Sequence, residues 1–146
     1  MGIRRRAREA ALQFLFQDDM AAVADLVVGD ELSERFERFC ILYEVAKKAH
    51  PYALEILQGV RDHRRRIDDL IAASGSNWRV ERLTTVDRNL LRVAVYEMAV
   101  RDDVPVQVAI NEAIEIAKRY GTHESPSFVN GVLDAVKMAL SSSQAS

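Results

Sequence analysis

The stretch TTVDRNLLRVAVYEMAV, Thr84 to Val100, decides the fold class. It carries the apolar residues Val86, Leu90, Leu91, Val93, Ala94, Val95 and Met98 ahead of its Ala99-Val100 end. They recur at three- and four-residue intervals, as on an α-helix, and do not alternate as in a half-buried strand. Their arc is wider than the stripe of a surface helix, so the segment is expected to be a central helix covered on most sides. Thr84 or Thr85 can cap its start, and Asp87 places a carboxylate in the first turn, where the helix dipole favours it.

The same period continues in both directions. Downstream, RDDVP (Arg101 to Pro105) reads as a turn into a helix carrying Ile110, Ala113, Ile114 and Ala117, with Glu115 and Arg119 able to pair on its outer side. Gly121 is a natural stop at the end of that helix. Ser125-Pro126 opens the last helix as N-cap serine and first-turn proline, and the amides that follow could hold a phosphate. Val129, Val132, Leu133, Val136 and Leu140 form its core stripe. Phe128 lies about 100° from the centre of that stripe, so its ring can cap the core or meet a base. Gly131 falls opposite the stripe, and core packing gives no account of it.

Upstream, SGSN (Ser74 to Asn77) has turn composition and is the best internal boundary. Before it a helix opening at Pro51 carries Leu54, Leu57, Ile67, Leu70 and Ile71. Another, after a break at Gly29-Asp30, carries Leu32, Phe36, Phe39 and Tyr43. The first runs from Ile3 to Met20, with Ala7, Ala11, Phe14 and Leu15 on one face. About six helices with short connections predict an all-α fold, a helical bundle of two three-helix halves at about 1–73 and 77–140. Residues 1–146 make one domain, and the tail 141–146 is expected to be frayed or disordered.

Bulk composition excludes several classes. With 49% hydrophobic and 29% charged residues the chain reads as an ordinary globular protein. No apolar run reaches the roughly 18 residues that a membrane span needs. The N-terminus lacks a signal peptide's apolar stretch, so a cytoplasmic location is expected. Cys40 is the single cysteine, which rules out an internal disulfide and a cysteine-held zinc. His50, His63 and His123 stand in separate segments with no metal-ligand spacing. THES (Thr122 to Ser125) sets His, Glu and Ser side by side, but adjacent residues cannot face one another as nucleophile and base must. No catalytic residue, metal site or cofactor is expected. A net charge of −2 excludes a general polyanion binder, so any nucleic-acid role must rest on a local patch.

Two arginine runs offer such a patch. In RDHRRRIDD (Arg61 to Asp69), Arg64–Asp68 and Arg65–Asp69 fall at i, i+4 and can neutralise one another on a solvated face. In IRRRARE (Ile3 to Glu9), only Glu9 opposes Arg4, Arg5, Arg6 and Arg8. Arg4 and Arg8 form a like-charge i, i+4 pair, and all four stand where the helix dipole disfavours cations. Folding gives no reason for that arrangement, whereas a phosphate-bearing partner does. A solvated N-terminus is the alternative.

The segments RRRARE, NWRVERLTTVDRNLLRVAVYEM (Asn77 to Met98), DVPVQVAINEAIEIAKRYG (Asp103 to Gly121) and FVNGVLD (Phe128 to Asp134) resemble, in order, the NusB family of bacterial transcription antitermination factors. The likeness covers the chain and is weakest between Met20 and Ser76. It implies an all-α fold without catalytic chemistry and a pairing with the ribosomal protein NusE. It further implies that the pair binds boxA RNA of nascent ribosomal transcripts, and that other Nus factors and RNA polymerase are met indirectly. By this resemblance Arg4, Arg5, Arg6 and Arg8 contact RNA. Phe16 stands at a family tyrosine and keeps the ring without the hydroxyl; Glu124 matches an acidic position before the last helix. Phe128 is the further stacking candidate, since RNA readers stack bases on aromatic rings.

A basic ribosomal partner calls for an acidic, partly apolar face, for which Glu81 and Asp87 are the candidates, although capping explains Asp87 as well. A homodimer through the same surfaces is open to the family. Two rivals stand beside this reading. One is a helical protein–protein adaptor without RNA specificity. The other is a stand-alone relative of the NusB-like domain of RNA cytosine methyltransferases, and here the chain is expected to end where that domain ends.

Overall fold

The computed structural model describes residues 2–20, 31–74 and 80–145. Among them helices are the only regular elements: α1 (Ile3–Met20), α2 (Leu32–Leu42), α3 (His50–Asp62), α4 (Arg64–Ser74), α5 (Thr85–Val100), α6 (Val106–Tyr120) and α7 (Ser125–Ala145). Single 3-10 turns at Lys47–Ala49 and Val80–Arg82 lead into α3 and α5. The all-α expectation is met, with one helix more than the sequence reading counted. Its third helix is two, broken at His63. The apolar phase of Leu54, Leu57, Ile67 and Ile71 runs through that break. Arg61, however, makes like-charge pairs at i+3 and i+4 with Arg64 and Arg65, and such pairs weaken a helix. At the other end α7 extends through the serine-rich tail to Ala145, past the expected fraying point.

Contacts group the chain into two compact units, Met1–Gln58 and Gly59–Ser146, so the division falls inside α3. The sequence reading drew its boundary at Ser74–Asn77, of which residues 75–77 lie outside the described residues, as does the break at Gly29-Asp30. The difference has a plain cause: α4 packs on α5 and α7, which ties it to the C-terminal helices.

In the first unit, the rings of Phe14, Phe36 and Phe39 meet at 5.6–5.9 Å, two pairs edge-on and one stacked. These are the arrangements aromatic quadrupoles favour. An Arg35–Asp18 ion pair and a Gln17–Tyr43 hydrogen bond tie α1 to α2 and its end. Ala7, Ala11 and Ala49 are fully buried, and their small side chains suit the contact between α1 and the 3-10 turn before α3. Tyr43, placed in the α2 stripe by its spacing, is instead 49% exposed at the helix end.

In the second unit, α5 contacts α4, α6 and α7, which is the central position its wide apolar arc predicted. Leu90, Leu91, Val93, Ala94, Val95 and Met98 are all buried. Thr84 is the cap, its Oγ1 accepting from the Asp87 amide at 3.2 Å. Two glycines are required by close approach. A Cβ at Gly59 would stand 2.0 Å from Cε1 of Tyr96, and one at Gly121 would stand 2.4 Å from Oγ of Ser125. Gly121 does end α6, but at φ −93°, outside the left-handed region that a glycine stop usually adopts.

A candidate nucleic-acid interface

The first turn of α1 contains no acidic residue. Arg4 and Arg6 are exposed, Arg5 is half-buried, and Arg8 is buried at 4% exposure. The fold accounts for part of this cluster. The ring of Tyr52, from the first turn of α3, lies 4.6 Å from the Arg4 guanidinium carbon and 5.8 Å from that of Arg8. An electron-rich ring face attracts both cations, by about 0.5–1 kcal/mol at an exposed site and more where water is excluded. The like-charge pair that seemed unaccounted for by folding is therefore bridged by an aromatic ring. Arg4, Arg5 and Arg6, at about 100° per residue, still fan across roughly 200° of the helix surface. Phe16, on the same helix, is 37% exposed, enough to present a ring edge to a ligand.

The remaining predicted contacts belong to the second unit, at the corner between α6 and α7. Glu124 is exposed and Phe128 is half-buried, which agrees with a position on the flank of the α7 stripe. Ser125 does not act as the expected N-cap. Its hydroxyl accepts from the Thr122 amide at 2.9 Å and is 1% exposed, so it braces the corner that Gly121 makes room for. The amides here are also largely engaged: Ser125 donates to the Thr122 carbonyl and Phe128 to the Glu124 carbonyl, while Pro126 has no N–H. A Cβ at Gly131 would meet nothing within 4 Å, so the fold does not require glycine there.

The acidic candidates separate. Asp87 is 8% exposed and its Oδ1 accepts no hydrogen bond, which places it in the packed first turn of α5 rather than on an open face. Glu81 stands in the 3-10 turn ahead of α5, and its side chain lies outside the described residues.

The local pairing expected in the second arginine run also changes. Asp68 binds Arg92 of α5 through both oxygens, at 2.9 and 3.1 Å, and Arg92 in turn donates to Asn89 at 3.2 Å. On α6, Glu115 pairs with Lys118 rather than with Arg119, whose guanidinium lies over Tyr120.

Among the described residues, no group of three or more His, Cys, Asp or Glu side chains is placed to hold a metal ion. No helix among them is long and apolar enough to cross a membrane. Cys40 is buried, and desolvation, then the nearby Glu37 carboxylate, pushes its thiol pKa up.

The model of the NusB family matches residues 5–138. The chain is 58% identical over 137 residues to the transcription antitermination protein NusB of Desulfotalea psychrophila, covering 94% of this chain and 96% of that one. It is 46% identical to the NusB of Desulfosudis oleivorans, covering 99% and 92%. Among solved structures, NusB of T. maritima superposes with a TM-score of 0.77 at 42% identity, over 92% of this chain and 90% of that one. A crystal structure of antitermination factors NusB and NusE in complex with double-stranded RNA contains a chain that superposes with a TM-score of 0.78 at 27% identity, covering 95% and 98%. The helical order, the arginine-led first helix and these likenesses over almost the whole length agree: the chain belongs to the NusB family.

Proposed function

We propose that this protein is a transcription antitermination factor that binds boxA RNA of nascent ribosomal transcripts together with the ribosomal protein NusE. NusB proteins are regulators, not enzymes. The observation that carries the RNA reading is the start of α1, where Arg4, Arg5 and Arg6 fan outward with no acid in the turn. Arg4 is held over the Tyr52 ring, so its guanidinium is placed before a ligand arrives. Pre-placing a rotamer-rich side chain lowers the entropy lost on binding. Phosphate takes the planar guanidinium fork, and Phe16, about 15 Å further along α1, supplies a ring for a base of the same strand. Arg8, buried against the same tyrosine ring, positions the segment. Glu124 and Phe128 form a second contact, in which the carboxylate accepts from a base amino group and the half-buried ring stacks. Glu81 is the acidic group for the basic partner, Asp87 being buried.

The test is a titration of boxA-type single-stranded RNA with and without NusE. Weak, salt-sensitive binding by the protein alone and markedly tighter binding with NusE is the expected pattern. Ternary affinity that survives Arg5→Ala with Arg6→Ala removes the role given to this cluster.

A further inference from the structure

The second arginine run lines an open groove of about 620 Å³ between α4 and the C-terminal part of α7. Sequence spacing alone would neutralise this run through Arg64–Asp68 and Arg65–Asp69. The fold redirects one of these acids. Asp68 is turned to Arg92 and is spent there on two hydrogen bonds. Asp62, which also lines the groove, is paired with Arg61 at 3.0 Å. Arg65 and Arg66 are exposed, and no ion pair joins Arg65 to Asp69 among the described residues. Asp69 is then the one carboxylate left to oppose Arg65 and Arg66 on the groove wall.

The first turn of α4, like that of α1, contains no acidic residue and begins with arginines, against the preference of the helix dipole. Leu70, Ala139 and Leu140 give the groove an apolar part of its lining. Guanidinium forks and an apolar lining match a nucleotide, with the phosphate at the forks and the base or ribose on the lining. The volume lies within the range of small-ligand clefts.

We infer that this groove is a second RNA-backbone contact, in which Arg65 and Arg66 take a phosphodiester of the bound strand and Leu70 and Leu140 receive its base. The inference rests on the RNA-binding reading above and assigns it a surface on the second unit that none of the residues named there belongs to.

The experiment compares two labelled single-stranded RNAs by fluorescence anisotropy on the full chain with NusE. One is of about 12 nucleotides and carries boxA; the other is the same RNA extended at both ends to about 30, against site sizes of roughly 4–16 nucleotides per binding module. With Arg65→Ala and Arg66→Ala together, the long RNA is expected to lose about five- to thirtyfold in affinity. The slope of log affinity against log salt should also flatten by about 0.7, the value for one single-strand phosphate. The advantage of the long RNA over the short one should then disappear. Unchanged long-RNA affinity and slope overturn the groove assignment. If Arg5→Ala with Arg6→Ala leaves both RNAs bound as before, the α1 reading falls instead, and the two failures are separable. Binding of a poly-glutamate peptide that depends on Arg65 and Arg66, with long-RNA binding insensitive to them, assigns the groove to an acidic protein segment and also overturns the inference.

Discussion

Asp68 and Asp69 are neighbours on α4, and simple helix spacing gives them equal parts as i+4 partners of Arg64 and Arg65. The structure makes them unequal, and stability measurements can read the difference. The Arg92 side chain is 8% exposed and that of Asp68 is 26%. Removing one member of a fully buried ion pair costs about 3–5 kcal/mol, because the remaining charge stays desolvated. A quarter-exposed Asp68 scales this down, and Arg92 would keep Asn89 as a partner. Asp68→Ala should therefore destabilise by about 2–3 kcal/mol. Asp69, exposed and without an ion pair to Arg65, should lie within about 0.5 kcal/mol of zero on replacement by Ala. At urea slopes of about 1–3 kcal/mol/M, the Asp68 variant would unfold roughly 0.5–3 M earlier than the Asp69 variant. Arg92→Met, alone and with Asp68→Ala, completes a double-mutant cycle, in which a coupling of at least about 1 kcal/mol is expected for groups in direct contact. Equal midpoints for Asp68→Ala and Asp69→Ala would refute the tie between α4 and α5, and with it the reason given for the unopposed arginines of the groove.

The other expectations can be checked with few variants. Gly59→Ala should cost about 1–3 kcal/mol, since its Cβ meets the Tyr96 ring at 2.0 Å, and Tyr96→Leu should restore part of the loss. Gly121→Ala should destabilise through Ser125, and Ser125→Ala should not rescue it, because the Ser125 Cβ is itself 2.5 Å from the added methyl position. Arg8→Ala should lower thermal stability, whereas Arg6→Ala should lower RNA affinity and leave the melting temperature within about 2 °C. Cys40, buried and with its thiol pKa raised, has less thiolate than an exposed cysteine at any pH below that pKa, so iodoacetamide should modify it slowly at pH 8 until urea unfolds the chain.

The helices with clean apolar stripes were legible in the sequence: α1, α5, α6 and α7 bury most of the residues that their spacing picks out, with Val86, Ile114 and Leu140 only half-buried at the stripe edges. The break at His63 was not, because the apolar phase of Leu54, Leu57, Ile67 and Ile71 continues across it and only the charges change. Charge partners were the least legible feature. Spacing rules see three or four residues ahead, while Arg92 lies 24 positions from Asp68. Tyr52 was hidden for a similar reason, since nothing in its own helix marks one ring as a platform for cations from another. The burial of Arg8 did leave a signal: Arg8, Ala11 and Leu15 are spaced i, i+3, i+7, so the side chain lies in the core-facing stripe, and its long methylene stem suits it to that place.

What distinguishes functional from structural charge in this protein is how each helix start handles its dipole. The central helix α5 obeys the local preference, with a Thr84 cap and Asp87 in the first turn, and is buried. The helices α1 and α4 break it, each beginning with arginines and no acid. In α1, Tyr52 against Arg4 and Arg8 relieves part of it inside the fold, and Arg6 stays exposed. In α4 one of the two acids placed to relieve it, Asp68, is drawn inward by Arg92. A chain tends to keep a locally unfavourable choice where something outside the folded state rewards it. Both helix starts carry exposed cations, and each unit also offers a surface able to take a ring, Phe16 further along α1 in one and the Leu70 and Leu140 lining in the other. That shared construction is the physical ground for assigning both surfaces to one polyanionic strand.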